Sequence, residues 1–216
     1  MKPLALSALL LAAPPALAHP HIFVDTGLRV FVDEVGAVAQ VEVTWVYDAL
    51  YSLLITEDYG MDLDGDAALT PQEEAALTGF DMAWIEGFEG DLEVTLDGRK
   101  LALSGPLRPT ATMRDGQIVT THRRDVAGGP VLGGGELVLK PYDPTYYTAY
   151  DVTLPVTVEG TAGCMIGKQE PDLNAEMEKL QAQLAELGRD QDAVEMGFPE
   201  VGAAFATEVR IACAPS

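Results

Sequence analysis

Twelve residues between two predicted helices have the types and spacing of a calcium-binding loop. The segment 62–73 reads Asp-Leu-Asp-Gly-Asp-Ala-Ala-Leu-Thr-Pro-Gln-Glu. Calcium is a hard cation that needs several oxygen ligands, and an EF-hand loop supplies them from alternate positions. The predicted ligands are the carboxylates of Asp62, Asp64 and Asp66, the backbone carbonyl of Ala68, Thr70 directly or through water, and Glu73 through two oxygens.

One position departs from the EF-hand pattern. The sharp turn normally has glycine at the sixth position, where this chain has Ala67. A left-handed backbone costs a non-glycine residue about 1–2 kcal/mol. We therefore expect calcium to bind about five- to thirty-fold more weakly than in a loop with glycine. Such a site would still fill in millimolar calcium, and a single loop favours a structural role over a switching role.

The same segment also fits a helix start that needs no metal. Thr70-Pro71-Gln72-Glu73 has the pattern of a capping box with proline in the first turn. Acidic residues ahead of a helix also interact favourably with its dipole. The two interpretations are compatible, and both stay open.

The start of the chain predicts export. Residues 1–18 combine Lys2, a short apolar run and the small-residue ending Ala-Leu-Ala, which is the pattern of a cleavable secretory signal. The apolar run is too short to span a bilayer, and no later segment is apolar enough to do so. We expect a soluble exported protein with no direct membrane insertion.

A second set of metal-binding residue types would lie at the mature N-terminus. Cleavage would expose the α-amine and ring of His19, followed by Pro20 and His21, and these nitrogens suit nickel, cobalt, zinc or copper. Pro20 has no N–H to lose, so a square-planar chelate through backbone nitrogens is disfavoured. Further ligands are therefore expected from Asp25, on the strand face of His21, and from His122. The alternative is a frayed terminus with two solvated histidines.

Charge and cysteine content restrict the partners and the compartment. The chain carries 34 acidic and 13 basic residues, a net charge of −21, and loss of Lys2 with the signal leaves 12 minus 34, or −22. Such a protein is repelled by nucleic acid and by anionic lipid. The two cysteines, Cys164 and Cys213, predict one disulfide in an oxidising compartment. It would close a loop of about 50 residues, worth about 4 kcal/mol.

Alternating apolar residues and turn signals predict a mainly β fold. Residues 19–216 are expected to form one antiparallel β-sandwich, with helical insertions at about 48–89 and 168–204. The first insertion is EF-hand-like, and the second is a C-terminal helical excursion whose apolar seam packs on its own domain or docks a partner. Predicted strands cover 22–32, 38–47, 92–96, 100–103, 110–113, 118–123, 135–140, 149–158 and 205–213, and predicted helices cover 48–57, 71–88 and 171–187.

Several of these segments together resemble domain-of-unknown-function family 1007, described as a periplasmic component of an uncharacterised ABC-type transport system. The resemblance rests on His-Pro-His-Ile-Phe-Val-Asp at 19–25, Trp-Val-Tyr-Asp at 45–48, the loop 62–73, Tyr-Asp-Pro-Thr-Tyr-Tyr at 142–147 and the segment 205–213. It implies accessory work in metal transport beside an inner-membrane metal permease or ABC transporter. Ala67 departs from the glycine usual in this loop.

Two functions remain in competition. The first is a periplasmic accessory protein of a metal-transport system that binds a transition metal or a partner permease and carries a calcium-type loop. The second is a calcium-stabilised periplasmic interaction module without a transition-metal role. We expect no enzyme, because the sequence shows no nucleophile with a base, no phosphate loop and no paired carboxylates outside the calcium loop.

Overall fold

The computed structural model describes residues 20–85, 87–160, 163–186 and 201–214. Its strands are β1 (Ile22–Val32), β2 (Val38–Tyr47), β3 (Leu92–Leu96), β4 (Arg99–Lys100), β5 (Leu107–Arg114), β6 (Gln117–Asp125), β7 (Glu136–Pro141), β8 (Thr148–Asp151), β9 (Val156–Glu159), β10 (Cys164–Gln169) and β11 (Glu208–Cys213). Its helices are α1 (Ala49–Tyr59), α2 (Pro71–Leu77), α3 (Leu173–Glu186) and a 3-10 helix at Gly202–Phe205. The predicted signal 1–18 and His19 lie outside the described residues.

The strands form two sheets. The first has the order β5-β6-β2-β1-β8, with β9 also paired to β1, and the second has the order β10-β11-β7-β3-β4. Most neighbours are antiparallel, so the prediction of a mainly β fold with antiparallel-rich sheets is confirmed. The exceptions are β8 and β9, which run parallel to β1. The single strand predicted over 149–158 is wrong, because the chain turns after Asp151, where the Thr153 N–H donates to the Asp151 carbonyl, and proline at 155 has no N–H for a ladder.

Strand alternation explains the core. The even positions of β1 and the odd positions of β2 point inward, and the inner residues of the second sheet belong to the same hydrophobic cluster. Members of this core from both sheets include Val24, Leu28, Val30, Val41, Val43, Val94, Leu137, Leu139, Val209 and Ile211. The first sheet thereby supports the helices and the acidic loop between β2 and β3.

The two helices between β2 and β3 have different lengths from those predicted. In α1, Asp48 caps the start by accepting from the backbone N–H of Tyr51, and Gly60 follows in the left-handed conformation. Helix α2 ends at Leu77, whereas the sequence predicted a helix to residue 88. The prediction of the longer helix is wrong, because Gly79 has a φ of 86°, which a helix cannot continue through.

The C-terminal part is joined to the second sheet by β10, which the sequence did not predict. Cys164 on β10 lies directly opposite Cys213 on β11, and the two form the predicted disulfide. Helix α3 spans most of the predicted 171–187, of which Leu187 and the side chain of Leu184 lie outside the described residues. In the part of the chain that the structure describes, no helix has the length and apolar composition to span a bilayer.

Candidate metal centre

Three carboxylates converge in the loop between α1 and α2. One oxygen each of Asp62, Asp64 and Asp66 lies within 4.8 Å of the others. Two of these side chains are oriented by the loop backbone. The N–H of Asp66 donates to Asp62 Oδ1 over 3.0 Å, and the N–H of Ala68 donates to Asp66 Oδ1 over 2.9 Å. This arrangement gives a multivalent oxygen-rich cluster of the kind that a hard cation prefers.

The sixth loop position adopts the backbone that an EF-hand turn requires. Ala67 has φ 62°, in the left-handed region that glycine enters at the lowest cost. Gly65, two residues earlier, also has a positive φ of 69°, and its N–H donates to the Asp62 carbonyl over 3.0 Å. The loop therefore makes its sharp turn with a strained alanine in place of glycine.

Glu73 joins the two ends of the loop. Its Oε2 accepts from the backbone N–H of Thr70 at 2.8 Å and from the Thr70 hydroxyl at 2.7 Å, and its Oε1 accepts from the N–H of Asp62 at 3.1 Å. These hydrogen bonds, those from Thr70 first, lower the pKa of the Glu73 carboxyl. The predicted capping box is present. Glu73 does not belong to the cluster of three aspartates, although it accepts a hydrogen bond from Asp62, the first residue of the loop.

The loop is anchored to the β fold at both ends. Met61 and Leu77 are buried in the core, and Leu69 packs against it. Helix α1 is attached to the first sheet by polar contacts, because Ser52 Oγ accepts from the backbone N–H of Ile118 on β6 over 2.9 Å. Helix α2 packs on β5. A ligand that ordered the loop would therefore act on both helices and on β5 and β6.

Of the predicted transition-metal residues, the structure describes His21, Asp25 and His122, and these three do not come together. His21 is exposed at the start of β1, and its ring centroid lies 4.8 Å from that of Tyr147. Asp25 follows four strand residues later, about 13 Å along β1 at about 3.3 Å per residue. The Asp25 carboxylate accepts from the Thr153 hydroxyl and lies opposite Asp151 on β8. Asp25 is therefore too distant to share an ion with His21.

His122 is separated from His21 as well. It pairs with Val43 on β2, which pairs with Leu28 on β1, so it lies about seven strand residues, or about 23 Å, from the level of His21. It also faces the core, whereas His21 and Asp25 share the opposite face of β1. Strand register therefore corrects the expectation that His122 joins His21 and Asp25 at one site. The fourth predicted residue, His19, lies outside the described residues.

Instead, His122 belongs to a buried cluster of polar and aromatic side chains. It is 1% exposed, and its ring centroid lies 4.8 Å from that of Trp45 and 5.6 Å from that of Trp84. Neither ring nitrogen has a hydrogen-bond partner. Burial, aided by the nearby charge of Arg124, lowers the pKa of His122 to about 4. The imidazole is therefore neutral at pH 7.

Two partly buried carboxyls belong to the same region. Asp81 Oδ2 accepts from the hydroxyls of Tyr47 and Thr120, each over 2.8 Å, while its Oδ1 has no partner. Asp91 Oδ2 accepts from the Tyr150 hydroxyl over 2.8 Å. Burial raises the pKa of both carboxyls, that of Asp91 to about 7. Sequence analysis missed Asp81 because it placed this residue within a longer helix, 71–88.

Arg124 extends the cluster to a surface cleft of about 380 Å³. Its guanidinium lies 4.9 Å from the centroid of the Trp84 ring and donates to the backbone carbonyls of Ser104 and Glu89. Burial lowers the pKa of Arg124 to about 10, so it remains charged at pH 7. The sequence provided only a weak indication that Arg124 is buried. Strand β6 has polar residues on both faces, so its alternation does not tell the inner face from the outer one.

The fold and the loop define a mainly β protein with an acidic, helix-flanked turn. Residues 4–213 match the family described as protein of unknown function (DUF1007), and the chain belongs to this family. No curated protein matches the chain.

Proposed function

We propose that this protein is an extracytoplasmic calcium-binding module in which one Ca²⁺ in the loop 62–73 holds α1 and α2 on the β fold. The observation that carries the proposal is the convergence of Asp62, Asp64 and Asp66 within 4.8 Å. Like charges at that separation repel each other, and a cation among them removes the repulsion. In this proposal the two sheets form a sandwich, and residues 49–77 form its EF-hand-like insertion.

The proposed role is structural binding rather than catalysis. A ligand that binds only the folded state stabilises it by an amount that grows with the ratio of free ligand to Kd. The left-handed Ala67 argues for a weak site, and a weak site fills where calcium is millimolar, as it is for extracellular modules. The disulfide between Cys164 and Cys213 fits an exported protein.

Calcium titration calorimetry on the chain that begins at His19 tests this proposal. We expect heat of binding with millimolar calcium and much less with magnesium. Asp64→Asn is the cleanest variant, because Asp62 and Asp66 also accept from backbone N–H groups. It should lower the calcium affinity about ten-fold or more, since one charged ligand is lost. Glu34→Gln, an exposed acid in the β1–β2 turn, is the matched control. An unchanged signal in both variants, or no heat at all, contradicts the proposal.

A second proposal rests on the family resemblance and on the exposed position of His21. In it, the protein is a periplasmic accessory of a metal-transport system, and His19, His21 and the α-amine bind a nickel, cobalt, zinc or copper ion for a partner permease or ABC transporter. The set of four residues predicted from the sequence does not fit one ion, so Asp25 and His122 are left out. Accessibility at the start of β1 is what supports the smaller set.

A crossed experiment separates the two proposals. The double variant His19→Ala with His21→Ala should lose nickel, cobalt, zinc and copper binding and keep calcium binding. Glu73→Gln should do the reverse, because it lies in the loop. If either change removes both activities, the two sites are not independent. If the wild-type chain takes up no transition metal, the second proposal fails while the calcium proposal stands.

A further inference from the structure

Helix α1 turns a mixed side inward, on which Tyr51 and Ile55 pack against the core beside two buried polar residues. Its buried residues are Ser52 and Thr56, which the first sheet and the helix backbone satisfy with hydrogen bonds. Its exposed residues include Leu50, Leu53 and Leu54, which are 66%, 52% and 49% accessible. A helix of a globular protein normally buries its apolar stripe. The three leucines, named here the α1 leucine face, are therefore not explained by folding.

The α1 leucine face has the geometry of a docking stripe. Residues at i, i+3 and i+4 lie within an arc of about 100°, at about 100° per residue. Glu57 falls on the same stripe one turn after Leu53 and Leu54, and Asp58 lies beside it. The stripe is thus apolar over its first two turns and acidic in its last turn. Phe23, half exposed, lies next to the helix start, because its backbone pairs in both directions with the N-cap Asp48.

The acidic chain segment that carries the α1 leucine face favours a basic partner. Residues 30–98 contain 17 acidic residues and no lysine or arginine. Lipid-binding interfacial helices carry lysine and arginine on their polar face, and α1 has neither. A second copy would bring the same acidic surface to the interface and be repelled. An apolar stripe with basic flanks complements both the leucines and the acids.

We propose that the α1 leucine face docks a basic amphipathic helix of a partner protein. The partner's apolar residues cover Leu50, Leu53 and Leu54, and its lysines or arginines lie against Glu57 and Asp58 in the last turn of the helix. This surface is separate from the calcium site, since its leucines are not metal ligands. It is also distinct from the apolar seam predicted for α3.

Three synthetic peptides and two variants test the docking proposal. The probes are a labelled leucine–lysine helix with leucines at i, i+3, i+4 and i+7, a scrambled peptide of the same composition, and a leucine–glutamate helix with the same stripe. Fluorescence anisotropy with the chain beginning at His19, in chelator and in millimolar calcium, should show binding of the leucine–lysine helix. The scrambled peptide should bind about ten-fold more weakly, because charge alone remains, and the glutamate helix should not bind.

The triple variant Leu50→Gln, Leu53→Gln, Leu54→Gln keeps the charge and should bind the leucine–lysine helix only as weakly as the scrambled peptide. The double variant Val35→Gln, Val131→Gln changes two similarly exposed apolar residues outside α1 and should bind as the wild type does. Thermal unfolding verifies that both variants are folded, and the three single leucine variants replace the triple one if it is not.

Three results would overturn the proposal. The first is equal binding of the helix by the wild type and the leucine variants, which would mean attraction by charge alone. The second is leucine-dependent binding to neutral phosphatidylcholine vesicles in place of the peptide. The third is a wild-type dimer in sedimentation equilibrium that the leucine variants convert to monomer, which would make the occupant a second copy.

Discussion

The acidic loop and the buried cluster both gather charged and polar side chains, and they treat charge in opposite ways. In the loop, Asp62, Asp64 and Asp66 lie at or near the surface and come from one short stretch of chain. In the cluster, Asp81 and Asp91 follow α2 and His122 lies on β6, and the three are partly or fully buried. Water solvates the loop carboxylates and a cation can neutralise them, whereas burial favours the neutral forms of the cluster residues.

In the loop, the charge of the carboxylates is available to a ligand. In the cluster, folding determines which groups are charged. The loop carboxylates retain capacity for a ligand, because only part of it is used by backbone N–H groups. The cluster has a neutral imidazole with no hydrogen-bond partner and a carboxylate oxygen without one. Buried unsatisfied groups cost free energy, so aromatic packing must stabilise the cluster. Substitutions in the cluster and in the loop should therefore have different effects on stability.

Trp84→Ala should have the largest effect on the free energy of unfolding. The Trp84 ring contacts His122, Phe88 and Arg124, and it packs over Gly90, where no side chain would fit. Removal leaves a cavity beside the polar groups, and we expect a loss of about 3 kcal/mol in urea unfolding. Ile85→Ala, next in sequence and largely exposed, should change it by less than about 0.5 kcal/mol. Similar losses in the two variants would mean that Trp84 does not support the cluster.

His122 should make the protein less stable in acid. Its pKa is near 6.5 when unfolded and about 4 when folded, so between these values the unfolded state binds a proton that the folded state does not. Stability from this group is complete above pH 6.5 and falls by about 3 kcal/mol as the pH drops to 4. Asp91 acts in the opposite direction, because its raised pKa makes its contribution fall as the pH rises towards 7.

The measurement for His122 is therefore a difference between two proteins. Urea unfolding of the wild type and of His122→Phe is compared from pH 7 to pH 4, so that the contribution of Asp91 is common to both and cancels. The wild type should lose about 3 kcal/mol relative to the variant over this range. A constant difference would show that the imidazole is protonated in the folded protein at the same pH as in the unfolded chain.

The same contrast explains how much the sequence could predict. The capping box at the end of the loop was predicted because it is a local pattern, and calcium binding by the loop stays a prediction. Strands β1 and β2 were predicted to the residue, since their alternation is regular. The cluster was not predicted, because Asp81 and Trp84 reach it only after α2 ends early at Leu77. Strand register, which separates His122 from His21, is a tertiary property that periodicity does not contain.

Ala67→Gly should stabilise the calcium-loaded protein. Glycine adopts the observed φ of 62° without the strain of a Cβ, so we expect about 1–2 kcal/mol more stability in saturating calcium. Ala68→Gly is the matched control and should lower stability, because glycine there only adds unfolded-state entropy. Calcium titration calorimetry measures the part of this gain that comes from tighter calcium binding, and unfolding in chelator measures the part that comes from folding alone. Equal effects of the two glycines would show that the turn at Ala67 is not strained.

Thr70→Ala should have the smallest effect and separates capping from metal binding. Thr70 Oγ1 accepts from the N–H of Glu73 and donates to its carboxylate, so its loss should cost about 1 kcal/mol of stability in chelator. Thr70→Ser should restore this, because it keeps the hydroxyl. In calcium titration, Thr70→Ala should weaken binding less than Asp64→Asn does, since a neutral oxygen is lost rather than a charge. A loss of affinity as large as that of Asp64→Asn would make Thr70 a direct ligand, and the capping box would then be secondary to the metal.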